Sequence, residues 1–92
     1  MDFVIRPTGD SPINALRLLA ESITRLGLPE DWLCVASPIS IVLTAPEAKV
    51  SENGDGWADD EAMKLGKAWL LVRSACEGRD DIEPRYFSIG RT

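Results

Sequence analysis

Hydrophobic and polar residues alternate in four short segments of the chain, which predicts four β-strands. In the first segment, DFVIRP, Phe3 and Ile5 face one way, Val4 faces the other, and Pro7 ends the pattern. The remaining segments are DWLCVA (31–36), ISIVLTA (39–45) and RYFSIG (85–90). Ser37 and Pro38 separate the second segment from the third, which predicts a hairpin, although one long bent strand over residues 32–45 is an alternative.

The alternation also predicts which side chains are buried by the sheet. On the inner face it places Phe3, Ile5, Ile39, Ile41, Leu43, Phe87 and Ile89. On the open face it places Val4, Ser40, Val42, Thr44, Tyr86 and Ser88. This partly apolar open face, with two valines, favours a protein partner or a second subunit, because apolar surface is costly to leave in water.

Apolar residues spaced by three and four predict a first amphipathic helix. Ser11 is the predicted N-cap, Pro12 the first helical residue, and Gly27 the stop signal. The apolar face consists of Leu16, Leu19, Ile23 and Leu26. Leu18 falls among polar residues on the opposite face, and we interpret it as exposed.

A second helix is predicted from about Asp59 to Glu77, with Gly78 ending it. Its apolar face consists of Ala62, Leu65, Trp69, Val72 and Cys76. Leu71 falls near Lys64 and Lys67 on the helical wheel, so it is also expected to be exposed. Exposed Leu18 and Leu71, or the open sheet face, are the expected contacts of a homodimer.

The predicted order is strand, helix, strand, strand, helix, strand, which is typical of the ferredoxin-like β-α-β-β-α-β arrangement. Both helices would cover one face of a four-stranded antiparallel sheet and bury their apolar faces together. Residues 1–92 are expected to form this single α+β domain, because a chain of this length has room for one core.

Composition narrows the expected location and partners. No apolar run approaches the roughly 18 residues of a membrane span, and the N-terminal residues do not resemble a secretory signal, so we expect a soluble cytoplasmic protein. The net charge of −5 disfavours direct binding to nucleic acid, which requires clustered Lys and Arg. Cys34 and Cys76 are expected to be reduced and buried rather than joined in a disulfide.

The segment SENGDGWADDEA, residues 51–62, most resembles a site. Placed on a calcium-loop template, Asn53, Asp55, Gly56 and Asp59 match, but Ser51 and Ala62 occupy the two anchoring positions that require Asp and Glu. We therefore expect no metal and no other cofactor. A turn followed by an acidic first helical turn explains most of the segment, since acids stabilise the positive end of the helix dipole.

The same segment is the predicted protein-binding site. Between residues 52 and 61 the chain carries five acids and no base. A tryptophan in such a segment either packs on the core or anchors a partner. The predicted partner-binding residues are Glu52, Asp55, Trp57, Asp59, Asp60 and Glu61.

Catalysis is not expected from these residues. The chain has no histidine, the commonest general base, and no Gly-rich phosphate loop or nucleophile elbow. A second acidic run, Asp80, Asp81 and Glu83, lies beside Arg79 and Arg85 and is interpreted as a solvated turn. RNA binding on the open face would need stacked aromatics, and Tyr86 alone is expected there.

Two functions remain as hypotheses. The first is an acidic, non-catalytic inhibitor or regulatory subunit that docks on a basic, nucleic-acid-binding protein; phages and other mobile elements often encode inhibitors of this size and charge. For the second, the segment RPTGDSPINAL, residues 6–16, resembles the glycine-bearing turn of small amino-acid-sensing (ACT-like) regulatory domains. That resemblance covers about a dozen residues and implies a ligand-sensing dimer, without assigning any ligand-binding residue.

Overall fold

The chain folds into four strands and two helices in the predicted order. The computed structural model describes the backbone of residues 1–46 and 57–92 and the side chains of residues 1–46 and 61–92. The elements are β1 (Asp2–Pro7), α1 (Ala15–Leu26), β2 (Leu33–Ala36), β3 (Ile41–Thr44), α2 (Trp57–Cys76) and β4 (Phe87–Arg91). A 3-10 turn, Pro84–Tyr86, precedes β4.

The strands form one antiparallel sheet in the order β2-β3-β1-β4. Central strand β1 pairs with β3 through Phe3 opposite Leu43 and with β4 through Ile5 opposite Ile89. Two crossovers, each containing a helix, skip one strand position, so that β1 lies between β3 and β4. This is the ferredoxin-like α+β fold, and it confirms the fold predicted from the alternating and helical patterns.

The buried core lies between the sheet and the helices. Its sheet side consists of Phe3, Ile5, Ile41, Leu43 and Phe87, all buried, with Ile89 partly buried beside them. The predicted inner face is therefore confirmed at these positions. Tyr86 is different: it lies in the 3-10 turn, where its N–H bonds to the Glu83 carbonyl, and its side chain packs partly against the core. Its predicted place on the open face was wrong.

The hairpin between β2 and β3 is confirmed, with residues 37–40 as its turn. The Ser37 N–H donates to the Ser40 carbonyl at 2.8 Å, and the Ser37 hydroxyl accepts the N–H groups of Ile39 and Ser40 at 3.3 and 3.1 Å. Ile39 was predicted on the inner face, but it is 78% exposed. The reason is that β3 begins at Ile41, so Ile39 belongs to the turn and not to the alternating strand.

Helix α1 begins later than predicted, at Ala15. The Ser11 N–H bonds to the Thr8 carbonyl, which makes a turn before the helix, and Asn14 occupies the N-cap position. Leu16, Leu19 and Ile23 are buried as predicted, and Leu18 packs partly against the core rather than lying exposed. Leu26 is 51% exposed, contrary to prediction, because it is the last residue of the helix.

Helix α2 buries Val72 and Cys76 as predicted, and Leu65 packs partly against the core. Two other residues of the predicted apolar face are not in the core, since Ala62 is exposed and Trp69 is half-buried. The buried residues are Lys64, Ala68, Leu71, Val72, Ala75 and Cys76. Leu71, expected to be exposed, is only 6% exposed, whereas its neighbour Leu70 is 64% exposed. Small Ala68 and Ala75 are buried on the same side of the helix as Leu71.

The end of α2 is as predicted. Gly78 has φ +75°, a left-handed conformation that favours glycine, and the Arg79 N–H bonds to the Cys76 carbonyl. Within the described residues, neither helix combines the length and apolar character needed to cross a bilayer.

The last two residues of the predicted α1 face, Ile23 and Leu26, should respond differently to truncation. Ile23→Ala should lower the free energy of unfolding by about 2–5 kcal/mol, because it leaves a cavity in the core. Leu26→Ala should cost less than about 0.5–1 kcal/mol, since much of that side chain is already in water. Urea denaturation of both variants measures the difference; equal losses would contradict the burial described for α1.

Candidate functional site

Helix α2 begins at Trp57, so four of the predicted partner-binding residues occupy its first two turns. These are Trp57, Asp59, Asp60 and Glu61. Glu52 and Asp55 lie outside the described residues, as do the calcium-template positions 51–56. The helix start therefore brings together the part of the acidic segment nearest to α2, at the positive end of the helix dipole, where acids are favourable.

Glu61 has an intrachain partner that the sequence pattern did not indicate. The Nη1 atom of Arg91 lies 3.2 Å from the Oε2 atom of Glu61, and both side chains are nearly half exposed. Arg91 is the last residue of β4, thirty positions away in the chain. An ion pair this exposed contributes little to stability, but it locates the start of α2 next to the end of β4.

The sheet topology adds further acids at this end of the domain. Asp2 at the start of β1 lies opposite Thr44 at the end of β3, and Thr44 lies opposite Leu33 at the start of β2. Glu30 and Asp31 immediately precede β2 and are exposed. We define the acidic end as Asp2, Glu30, Asp31 and Glu61, with the helical positions of Asp59 and Asp60. Arg25 and Arg91 are bases at the same end.

A tight turn before β2 holds Asp31 in place. The Trp32 N–H donates to the Pro29 carbonyl at 3.1 Å, and Asp31 has φ +66°, which aspartate tolerates better than most residues. The Trp32 ring is buried and stacked on Phe3, with ring centroids 6.4 Å apart and planes 15° apart. The core contact of Trp32 thus determines where the exposed acids beside it lie.

The second acidic run is a turn held by arginines, as predicted. Arg79 donates to both carboxylate oxygens of Asp81 at 2.8 and 2.7 Å and to the Ser22 hydroxyl at 2.7 Å. It thereby connects α1 to the turn after α2 and satisfies the buried Ser22. Arg85 bonds to Glu83 at 2.6 Å and lies over the Tyr86 ring at 5.2 Å. Asp81 and Glu83 are thus compensated locally.

The open face of the sheet carries an apolar row. Val35, Val42 and Val4 lie opposite one another across β2, β3 and β1, and Gly90 of β4 ends the row. Val35 and neighbouring Leu33 are exposed because β2 is an edge strand. The alternating pattern predicted that Val4 and Val42 lie on the open face. Only the strand order shows that Leu33 and Val35 lie on the same face and form its exposed apolar part.

Helix α2 has an exposed face that the helical periodicity did not single out. We define the outer face of α2 as Ala62, Met63, Gly66, Trp69, Leu70 and Arg73. Met63 and Leu70 are 63% and 64% exposed, and Trp69 is half-buried. Gly66, Trp69, Leu70 and Arg73 line an open groove of about 490 Å³. Both the outer face and the core-facing side of α2 carry apolar residues. The apolar face predicted from the sequence therefore lay between them on the helix surface.

Gly66 lies in the middle of α2 without a structural need for glycine. A Cβ added there would meet no atom within 4 Å. Glycine in a helix interior costs about 1 kcal/mol relative to alanine. Within the described residues, no close contact therefore requires a glycine at position 66.

Cysteine and metal chemistry offer little within the described residues. Cys34 and Cys76 are both free, and burial raises the pKa of each thiol, which lowers its reactivity. No group of three or more acidic or cysteine side chains in the described part of the chain is arranged to hold a metal ion.

Comparisons with models of known protein families, with curated proteins and with solved structures found no match to this chain. Function is therefore inferred from the charges, exposed surfaces and contacts of the molecule.

Both thiols should react slowly in the native protein. At neutral pH we expect Cys34 to react faster than Cys76, because it is less buried, and both to react far more slowly than in denatured protein. Mass spectrometry during labelling with a thiol reagent measures the rates. Fewer than two labelled thiols after denaturation without reductant would contradict the free state of the cysteines.

Asp81→Asn should lower the melting temperature at neutral pH. The hydrogen bonds from Arg79 lower the pKa of Asp81, so the folded state holds its proton less tightly than the unfolded state does. The stabilisation is complete above the unfolded pKa of about 3.9 and disappears as the pH falls through the folded value. The difference from wild type should therefore shrink in acid. Asp80→Asn is the matched control, and an equal effect of both substitutions would rule out the Arg79–Asp81 pair as the cause.

Proposed function

We propose that the chain is a non-catalytic interaction protein, an inhibitor or regulatory subunit that acts in the cytoplasm. Its acidic end would dock on a basic surface of a nucleic-acid-binding protein. The observation that carries this proposal is the collection of acids from three separate elements at one end of the domain: the start of β1, the turn before β2 and the start of α2.

The charge balance supports a basic partner. The whole chain has a net charge of −5. At the opposite end, Asp81 and Glu83 are paired with Arg79 and Arg85, which supports a larger share of the negative charge at the acidic end. Arg91 offsets only part of it, through Glu61. Such an asymmetric field accelerates encounter with a positive surface and disfavours partners of like charge.

Trp57 supplies the candidate anchor of this contact. It is the first residue of α2 and directly precedes the acidic turn. Protein interfaces commonly combine an aromatic residue at the centre with charged residues at the rim, and truncation of such an aromatic costs far more than loss of a rim charge. A small acidic protein of this kind also suits a phage or mobile element that blocks a host protein.

Charge reversal at the two ends of the domain tests the proposal. Asp31→Lys and Asp60→Lys change the acidic end, whereas Asp80→Lys makes the same change of net charge at the opposite end. Each immobilised variant is used to capture proteins at low salt. A protein that binds wild type and Asp80→Lys, but neither of the two acidic-end variants, should be basic. On a partner so identified, the acidic-end variants should mainly slow association, and added salt should reduce their effect.

Trp57→Ala separates anchoring from steering. If Trp57 is the anchor, its truncation should weaken binding by about 2 kcal/mol or more, chiefly through faster dissociation. A thermal melt must show that the variant remains folded. Partner binding that is unchanged in Asp31→Lys, Asp60→Lys and folded Trp57→Ala would refute the proposed docking site.

A further inference from the structure

Strand β2 has a backbone edge that points away from the rest of the sheet. Among the described residues, β2 pairs with β3 only. The Ser37 N–H donates to the Ser40 carbonyl where the two strands join. Because bonded residues alternate along an antiparallel ladder, Val35 also bonds to β3, whereas the N–H and C=O groups of Cys34 and Ala36 point outward. These outward groups can pair with a further extended strand.

The two edges of the sheet differ in how they discourage such pairing. Strand β4 ends at Arg91, whose side chain is paired with Glu61 of α2. A charged residue on an edge strand disfavours the addition of another strand. Strand β2 contains neither a charge nor a proline, and its Leu33 and Val35 side chains are 63% and 65% exposed. The edge suited to pairing is therefore the β2 edge.

A second copy of β2 matches this edge in one register. In an antiparallel pair with the two-fold axis at Val35, Cys34 lies opposite Ala36 of the partner subunit. Both residues have outward N–H and C=O groups, so each donates one bond to the other and accepts one from it. The same pair forms again on the other side of the axis. The two strands thus satisfy each other's outward groups.

The neighbouring registers are less favourable. A shift of two residues in one direction places Cys34 opposite Pro38 of the partner subunit, which has no N–H to donate. A shift in the other direction requires the Trp32 N–H, which is already bonded to the Pro29 carbonyl. The backbone groups on either side of β2 therefore favour the register centred on Val35.

We propose that the chain forms a two-fold symmetric homodimer through β2, in which the two strands pair antiparallel about Val35 and join two four-stranded sheets into one. Val35 lies directly opposite Val35 of the partner subunit, on the open face. Such β-branched cross-strand pairs are favourable. The apolar row of Val35, Val42 and Val4 continues into the second copy.

The arrangement of charges is compatible with this pairing although each chain carries a net charge of −5. Glu30 and Asp31 precede β2, and in the antiparallel pair they lie beside residues 37–40 of the second copy, a turn without charges. The two Asp31 positions are separated by about 27 Å along the strands, given a rise of about 3.4 Å per residue. That distance exceeds the Debye length of about 8 Å, so salt screens most of their repulsion.

Mass in solution over a wide concentration range, measured by sedimentation or light scattering, tests the dimer. Wild type should approach twice the chain mass at high concentration. It should dissociate on dilution, because one short strand per copy buries less than the roughly 800 Å² per partner of a standard interface.

Ala36→Pro tests the backbone pairing. The substitution removes an N–H that points away from β3, so the β2–β3 ladder stays intact, as circular dichroism should show. It removes one bond on each side of the two-fold axis and should raise the dimer dissociation constant about tenfold or more. Ala36→Val is the matched control, because it adds a side chain of similar size at an exposed position and retains the N–H. It should have the wild-type dissociation constant.

Cross-linking tests the register without altering the backbone. In a Cys34→Ser background, Val35→Cys should form an intermolecular disulfide under mild oxidation, since directly opposite residues of a non-bonded pair have Cα atoms about 4.5 Å apart. Leu33→Cys is equally exposed, but its two copies lie about 14 Å apart along the strands. It should therefore cross-link far more slowly.

A wild-type chain that is monomeric at the highest concentration would overturn the dimer. A folded Ala36→Pro variant that associates as strongly as wild type would overturn the contact through β2. Cross-linking of Leu33→Cys as fast as that of Val35→Cys would overturn the register. These measurements use the purified chain alone, so their outcome is independent of the proposed basic partner.

Discussion

The burial of β1 between two strands and two helices is the constraint on which the rest of the fold depends. Phe3 and Ile5 are fully buried, and their strand pairs with β3 on one side and β4 on the other. Phe3 also stacks on Trp32, which positions the turn before β2. Strand order, helix placement and the position of that turn thus follow from covering one short apolar strand at both edges and on one face.

The same topology concentrates charge. Because the strands are antiparallel and both helices return across the sheet, the starts of β1, β2 and α2 lie at one end of the domain. Each of these starts is acidic, and the ion pair between Glu61 and Arg91 neutralises a small part of the charge. At the opposite end, Arg79 and Arg85 bond to neighbouring acids within the chain. Acids from three separate elements are thus brought to one end of the domain, although each is an ordinary surface residue.

Helix α2 carries apolar residues on two faces. One face, built around Ala68 and Leu71, completes the core against α1, and the outer face leaves Met63 and Leu70 in water.

The sequence by itself determined the element order, the alternation that buries Phe3 and Ile5, the hairpin, and the stop at Gly78, because these depend on local periodicity and backbone preference. For α2 the sequence placed Val72 and Cys76 correctly. Only the tertiary structure decided that Ala68 and Leu71 complete the buried face, since a helix apolar on both sides has no single amphipathic direction. It also decided the charge pattern: Glu61 meets Arg91, and Asp2 comes to lie near the start of β2, through contacts between residues far apart in the chain.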